Sequence, residues 1–346
     1  MQVYCFGELL IDLLAVQQGV GLEKVESFRR SPGGAPANVA RDLAVLGLDA
    51  QFMGLLGEDP FGEFLRGDLA DAGVGVDYLG RSARVSTPLA FLATLRGGRK
   101  QVSFAGMDGW ATALAQSAEL DRAIVPGAGR WLHVGGVASA WAELHHRQRA
   151  LLTRARRAGW RTSVDVNYRS ALYANRDEIF ATRMAELISL ADVVKLSEEE
   201  TAAAVRTDPG QDVSARVLAM GAQVVAVTRG PAGATVYAPR RAPITLAPLA
   251  VKEVEPTGAG DAFMAGLIAG LIRAGGPARP ALPAATPSSQ PAWPPEHDLL
   301  FAANLANECG ALAVTRAGAM LTLKGATARD YPSISRWKKD RRAATP

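Results

Sequence analysis

The chain has 346 residues, of which 48% are hydrophobic and 21% charged, a composition typical of a soluble globular protein with a substantial core. Its 38 basic residues outnumber 34 acidic ones but are spread along the chain, which argues against nucleic-acid binding. Cys5 and Cys309 both lie in apolar runs, so a disulfide framework is not indicated. Without a membrane-length apolar run or a start resembling a signal peptide, the sequence predicts a cytoplasmic protein with no membrane partner.

The first apolar run, residues 3–10, predicts a buried strand that ends near Asp12. An acid just after a buried strand lies at the edge where open parallel sheets bind ligands, although a strand-ending surface aspartate fits equally. The run Pro-Gly-Gly-Ala-Pro-Ala-Asn then predicts a tight turn at Gly33 and Gly34 into a helix. Asn38 falls in the first turns of that helix, where its amide could bind a polyhydroxy ligand or cap the turn.

Two β-type runs, residues 87–94 and 101–104, are joined by Arg-Gly-Gly-Arg and predict a hairpin. A hairpin within an alternating β/α chain is an insertion on the main sheet. Together with the irregular segment after Asp12, it predicts a small β lid from about residues 13–32 and 84–106. Such a lid would close over Asp12 and Asn38 and exclude water from reactive phosphates.

From residue 131 onward, apolar strands alternate with amphipathic helices. Repeated βα units of this kind predict an α/β fold with a mainly parallel central sheet and helices on both faces. The pattern indicates one catalytic domain over residues 1–330. Within it, the Pro/Ala-rich segment 275–296 predicts a mobile surface loop, and residues 335–346 read as a polar tail.

Several polar residues stand at or just beyond the ends of predicted strands, so one edge of a parallel sheet would gather them. They are Asp12, Asn167, Glu198, Thr228 and Asp261.

The stretch 255–261, Glu-Pro-Thr-Gly-Ala-Gly-Asp, runs directly into a small-residue apolar helix. Amides of Gly258, Ala259 and Gly260 in its first turn would lack intrahelical partners and, with the helix dipole, would attract an anion. Asp261 adds a carboxylate there, which suggests phosphoryl transfer to a hydroxyl with Asp261 accepting the proton. A common capping arrangement is the alternative. No glycine is followed by lysine, so a Walker A loop is absent, and Phe263 replaces the third glycine of a dinucleotide fingerprint.

These motifs together resemble the ribokinase-like (PfkB-type) carbohydrate kinases over residues 1 to about 323. The turn at residues 33–38 resembles the first family signature, and Thr-Gly-Ala-Gly-Asp at 257–261 resembles the more specific second one. Segments 165–169, 195–198, 228–230 and 313–319 recur in the family's order. Among members of the family, these motifs are most similar to those of bacterial fructokinases, and aminoimidazole riboside kinases share nearly as much.

For catalysis, the resemblance implies that Asp261 is the base and that the amides of Gly258, Ala259 and Gly260 stabilise the transferring charge. It also implies a set of residues around the sugar. These are Asp12, Gly33, Gly34, Asn38 and Arg169.

For the nucleotide, the resemblance implies ATP and Mg²⁺. Glu198, with Asn167, would organise Mg²⁺ through water, while Thr228, Gly230 and Asn307 would contact ATP. A homodimer is implied by analogy alone.

Three departures from the family pattern concern the cations and the sugar. Glu255 stands where relatives usually have an aspartate that helps to bind a monovalent cation, so a potassium site here would use a longer carboxylate. Lys195 stands in a place often held by asparagine, and the segment after Phe104 lacks the aromatic-Arg pair of fructokinases. The sequence therefore predicts an ATP-dependent fructokinase, with a kinase for a riboside or another ketose as the alternative. A non-catalytic sugar sensor is the alternative of another class.

Overall fold

The computed structural model describes residues 1–124, 127, 129–173, 176–205, 212–273, 293–316, 321–323, 326–327 and 329–343. The predicted mobile loop, residues 275–296, lies outside the described residues except for its last four.

The strands are named in chain order. They are β1 (Gln2–Phe6), β2 (Leu10–Ala15), β3 (Phe28–Gly33), β4 (Asp49–Gly57), β5 (Gly75–Ser82), β6 (Leu89–Thr94), β7 (Lys100–Ala105), β8 (Arg130–Gly135), β9 (Arg161–Asp165), β10 (Val193–Ser197), β11 (Val224–Thr228), β12 (Ala234–Tyr237) and β13 (Ile244–Leu246).

The helices are named in the same way. They are α1 (Ala35–Val45), α2 (Pro60–Asp71), α3 (Met107–Ala115), α4 (Glu119–Ala123), α5 (Ala142–Arg157), α6 (Ser170–Tyr173), α7 (Asp177–Ile188), α8 (Thr201–Ala204), α9 (Val213–Ala219), α10 (Ala259–Arg273), α11 (Glu296–Ala313) and α12 (Pro332–Ala343).

A nine-stranded sheet forms the centre, in the order β13-β12-β11-β10-β9-β8-β1-β4-β5. All its pairings are parallel except the two that involve β12. Alternate residues of β1 face opposite layers: Val3 and Cys5 pack with α1, α10 and α11, while Tyr4 and Phe6 pack with α3, α5 and α7. The predicted α/β architecture, a mainly parallel sheet between two helical layers, is therefore confirmed.

A second sheet, called the small sheet below, consists of β3, β2, β6 and β7 in that order. Asp12 lies on it, opposite Ser31 of β3 and beside Ala90 of β6. The expectation that Asp12 follows a strand of the central sheet is wrong, because the chain leaves that sheet after Phe6 and begins a new strand at Leu10. The sequence does not reveal this break, because the apolar pattern is the same in β1 and in the start of β2.

The C-terminal segment is helical as far as Ala343 rather than a polar tail, and residues 344–346 of the predicted tail lie outside the described residues. Within α12, Ile334 and Trp337 are buried at helical spacing, and the Trp337 indole donates to the carbonyl of Leu46 at 2.8 Å. Two apolar residues on one face are enough to dock a helix whose composition is otherwise polar. Among the described residues, no helix has the length and apolar character that spanning a membrane requires.

The helix α10 lies in the middle of one helical layer and is buried from Asp261 to Leu271. A Cβ on Gly270 would lie 2.4 Å from the Cα of Ala302, so glycine allows α11 to approach closely. This packing on all sides is what fixes the start of α10, and with it the position of Asp261.

Candidate active site

A cavity of about 540 Å³ lies between the small sheet and the carboxyl ends of the central strands. Its wall from the small sheet includes Asp12 and Lys100, and the loops after β9 and β10 add further polar side chains. The start of α10 closes it with Gly258, Gly260 and Asp261. Ligands of open α/β sheets bind at this edge, so we call this cavity the acceptor pocket.

Asp261 is 9% exposed at the base of the acceptor pocket, in the first turn of α10. Its Oδ2 accepts a hydrogen bond of 2.8 Å from Nδ2 of Asn38, so two separately predicted site residues meet across 223 residues of chain. Burial raises the pKa of Asp261, while the Asn38 hydrogen bond and the charge of Lys195 oppose that rise. The Asp261 carboxyl is therefore buried, held in one orientation and in contact with the acceptor pocket.

Asp12 faces the same pocket from the small sheet. A Cβ on Gly33 would lie 2.4 Å from Asp12 Oδ2, so any residue larger than glycine would displace this carboxylate. Gly34 has a φ of 106°, and a Cβ there would lie 2.3 Å from the Glu8 carbonyl oxygen. Burial, together with the nearby charge of Asp261, raises the pKa of Asp12 to about 7, and Arg169 partly offsets this rise.

Glu8 is a pocket residue that was not among the predicted site residues. It is 2% exposed, and its Oε1 accepts a hydrogen bond from the Ala35 N–H at 3.2 Å. Oε2 is buried without a hydrogen-bond partner among the described residues, and burial raises the pKa of Glu8 to about 7. A buried charged residue in an apolar run is itself the signal that could have identified it.

Lys195 and Asp165 form a buried ion pair under the first turn of α10. Lys195 Nζ lies 3.0 Å from each Asp165 oxygen, and a Cβ on Gly260 would lie 2.8 Å from Nζ. Burial alone would lower the pKa of Lys195, but the charges of Asp165, Glu200 and Asp261 outweigh it and raise that pKa. A protonated lysine therefore stands directly beneath the predicted anion-binding turn.

The predicted metal residues separate in the structure. Glu198 is 67% exposed and pairs with Arg229 at 3.3 Å, whereas Glu199 and Glu200 line the acceptor pocket together with Asn167. Glu200 is held there by two backbone hydrogen bonds of 2.7 Å: its carboxylate accepts from the Ser197 N–H in a capping box and from the Tyr168 N–H.

The described residues contain no group of three or more His, Cys, Asp or Glu that could hold a metal ion by itself. Mg²⁺ usually keeps several waters and binds through one or two carboxylates together with substrate phosphates. The carboxylates of Glu199 and Glu200 beside the pocket fit this arrangement, in which most ligands come from water and phosphate.

A second cavity of about 280 Å³ lies on the other side of the α10 start and shares Gly260 and Pro256 with the acceptor pocket. Thr228, Gly230 and Asn307, predicted to contact a nucleotide, all line it. The amide of Asn307 donates to the Ala247 carbonyl at 2.9 Å, which fixes its orientation. The two cavities thus meet at the turn that carries Asp261.

Glu255 lines neither the acceptor pocket nor the second cavity, and lies instead in a cavity formed with the outer part of the small sheet. Its carboxylate is 3.7 Å from the Arg29 guanidinium, so a cation there would compete with an arginine. Nearby, Lys100 of β7 donates to Thr257 Oγ1 at 3.2 Å and so joins the small sheet to the loop before α10. Within that loop, the Ala259 N–H donates to the Pro256 carbonyl at 3.3 Å.

Comparison with known proteins agrees with this geometry. A family model for pfkB family carbohydrate kinases matches residues 1–325. The fructokinase of Klebsiella pneumoniae is 35% identical over 331 residues, covering 93% of this chain and 96% of that protein.

Two solved structures are similar throughout. A crystal structure of fructokinase from Vibrio cholerae O395, in a form with bound fructose, ADP and calcium ion, has a TM-score of 0.71 and 28% identity, covering 92% of this chain and 94% of that one. Aminoimidazole riboside kinase from Salmonella enterica, complexed with aminoimidazole riboside and an ATP analogue, has a TM-score of 0.75 and 26% identity, covering 98% and 99%.

Fold, site and relatives together define a phosphotransferase that acts on a sugar hydroxyl. The chain belongs to the pfkB family of carbohydrate kinases.

Proposed function

We propose that this kinase transfers the γ-phosphoryl group of ATP to D-fructose, giving D-fructose 6-phosphate, with Asp261 as the base. The observation that carries the proposal is the buried Asp261 carboxylate at the start of α10, held by Asn38 where the two cavities meet. The 35% identity to a fructokinase supports fructose as the acceptor.

The acceptor hydroxyl would lie next to Asp261. A carboxylate is far too weak a base to deprotonate a sugar hydroxyl in the ground state, so Asp261 would receive the proton late, as the bond to phosphorus forms. The amides of Gly258 and Gly260, with Lys195 beneath them, would stabilise negative charge on the transferring group, whereas the Ala259 N–H is already hydrogen-bonded to the Pro256 carbonyl. Mg²⁺ bound with ATP would supply further neutralisation of the phosphate charge.

The charge of the acceptor pocket favours an uncharged sugar. Five carboxyl groups line the pocket, those of Glu8, Asp12, Glu199, Glu200 and Asp261, and they outnumber its three cations, Lys100, Arg169 and Lys195. The carboxylate of Asp12 would accept hydrogen bonds from sugar hydroxyls, and the Asn38 amide would also contact the sugar. A phosphorylated sugar would place further negative charge against the carboxyl groups.

Aminoimidazole riboside is the second candidate acceptor. The structural similarity to aminoimidazole riboside kinase is as close as that to fructokinase. Both acceptors present several hydroxyls and neither carries a phosphate, so the charge of the pocket does not separate them.

The test is ADP release with Mg-ATP across fructose, ribose, aminoimidazole riboside, adenosine and fructose 6-phosphate, each with and without potassium. A preference for fructose is expected, with little activity on fructose 6-phosphate. Activity on the riboside alone would transfer the proposal to the second candidate. Potassium activation would support a cation site near Glu255 despite its pairing with Arg29.

The base assignment is tested by Asp261→Asn. We expect turnover to fall by roughly 10²- to 10⁴-fold, the usual contribution of general base catalysis. Fructose binding, measured by calorimetry, should be largely retained because the amide fills the same volume. Turnover near that of the wild type would refute the assignment.

A further inference from the structure

A chain of hydrogen bonds runs from the surface of α2 to the acceptor pocket. Arg41 Nε donates to Asp68 Oδ2 at 2.5 Å, and Arg41 Nη1 donates to Asn38 Oδ1 at 3.0 Å. Asn38 Nδ2 then donates to Asp261 Oδ2 at 2.8 Å. Only Asp68, 20% exposed, reaches solvent appreciably, since Arg41 is 1% exposed.

Arg41 decides which way the Asn38 amide points. A guanidinium offers only donors, so the amide oxygen must face Arg41, and the amide nitrogen is then left for the carboxylate of Asp261. With the amide reversed, an oxygen would face a carboxylate and an NH₂ group would face a guanidinium, and both contacts would be repulsive. Asp68 Oδ2 anchors the same guanidinium by accepting a hydrogen bond from Nε and lying beside Nη2, an arrangement that a lysine could not reproduce.

We propose that Arg41 is a positioning residue for phosphoryl transfer: by orienting the Asn38 amide, it keeps the Asp261 carboxylate in place for the acceptor hydroxyl. Arg41 lies on α1 behind Asn38, and it does not line the acceptor pocket. The inference rests on the assignment of Asp261 as the base. It goes beyond that assignment because neither Arg41 nor Asp68 belongs to the motifs that identified the site.

The electrostatic surroundings of Asp261 come from several elements besides Asn38. The charged groups that act on it, or on which it acts, are Glu8, Asp12, Asp42, Asp165, Arg169, Lys195 and Glu200. None of them is hydrogen-bonded to Arg41 in the described network. Loss of the Asn38 hydrogen bond removes a contact that lowers the pKa of Asp261, so that pKa should rise.

The principal test is Arg41→Met, assayed with fructose or whichever acceptor the panel identifies. We expect kcat to fall roughly 10- to 100-fold, the size of effect that follows from a misplaced catalytic group, with the KM of the acceptor changed much less. Because the base must be ionised, the acid limb of the kcat profile should move to higher pH. A purely structural role would lower the fraction of folded enzyme without moving that limb.

Asp68→Asn is the second variant, because removal of a buried arginine can itself unfold the protein. It keeps Arg41 in place but weakens its anchor, and we expect a smaller loss of kcat with the same shift in pH. Arg81→Met is the matched control, since it removes a surface arginine–carboxylate pair with Glu63. Its kcat and pH profile should equal those of the wild type.

A double-mutant comparison connects the effect to Asn38. In an Asn38→Ala background, Arg41→Met should cause little further loss, because the amide that it orients is gone. An equal loss in both backgrounds would contradict the proposal, as would wild-type kcat and pH dependence in folded Arg41→Met or Asp68→Asn protein. An active Asp261→Asn variant would instead refute the base assignment on which the proposal rests.

Discussion

At the scale of single residues, the acceptor pocket brings together several carboxyl groups whose burial and mutual repulsion disfavour the ionised form. Glu8 and Asp261 are buried and Asp12 is half-buried, and burial is the largest cause of the raised pKa in all three. Such a collection weakens folding at neutral pH, because each group that ionises does so in a poorly hydrated site. Raised carboxyl pKa values of this kind are common where side chains are arranged for a ligand rather than for stability.

Glu8 gives a prediction for stability. Its pKa is raised from 4.5 to about 7 in the folded protein, so the folded state binds more protons than the unfolded state between these values. The stabilisation from this protonation is complete below pH 4.5 and is lost as pH rises toward about 7. Glu8→Gln lacks this titrating group and does not lose stability in this way. As pH rises above 4.5, the free energy of unfolding of the variant should therefore increase relative to that of the wild type, by up to about 3 kcal/mol.

The measurement is denaturant unfolding of both proteins at several pH values, without ligand. The difference between them, rather than either absolute value, carries the prediction. Glu26→Gln is the control, since Glu26 is exposed and its carboxylate is hydrated in both states. A difference for Glu8→Gln that stays constant with pH would show that the Glu8 carboxyl is not perturbed by burial.

At the scale of elements, the start of α10 and the small sheet define the site between them. The turn at Gly258–Gly260 has the acceptor pocket on one side and the second cavity on the other, which is the arrangement that transfer between two ligands requires. The small sheet covers the acceptor pocket with Asp12 and contacts the turn through Lys100 and Thr257. We therefore regard the small sheet as a cover whose position depends on a few polar contacts.

Lys100→Met tests that view. The variant loses the hydrogen bond to Thr257 and a cation near Asp12, and a single exposed hydrogen bond contributes about 1 kcal/mol. We expect the KM of the acceptor to rise roughly fivefold. Steady-state kinetics of Lys100→Met and of Arg99→Met, a change in the adjacent exposed turn, provide the comparison. Equal KM values in both variants and in the wild type would mean that this contact does not hold the cover.

At the scale of the whole molecule, distant parts of the chain stabilise the helices that carry the site. The α12 helix docks on the end of α1 through Trp337 and Leu46, while α1 carries Asn38 near its start and Arg41 in its middle. The C-terminal segment therefore belongs to the packed body rather than to a tail.

Trp337→Ala should lower the free energy of unfolding by about 3–5 kcal/mol, because it removes a large buried side chain and leaves the Leu46 carbonyl unpaired. Below the unfolding transition, kcat should be unchanged, since Trp337 lies away from the acceptor pocket. Thermal unfolding and kinetics of this variant are to be compared with Lys339→Ala, an exposed position of the same helix. Equal stability of the two variants would mean that α12 does not contribute to the folded body.

The sequence by itself determined the features that are local along the chain. Alternation of apolar strands and helices indicated the three-layer fold, because burial on both faces of a parallel sheet leaves a recognisable periodicity. The turn and helix start at residues 257–261 were also recognisable, since a Gly-Ala-Gly-Asp run specifies its own backbone geometry. The assembly of Thr228, Gly230 and Asn307 around one cavity followed from the family resemblance.

Only the tertiary structure decided which side chains meet. The Asn38–Asp261 hydrogen bond joins residues 223 positions apart, and the Arg41–Asp68 pair joins two different helices, so neither leaves a periodic signal. The break that places Asp12 on the small sheet depends on strand pairing elsewhere in the chain. Local pattern reflects the backbone, whereas the chemistry of this site depends on long-range packing of side chains, and for that reason the sequence alone could not decide it.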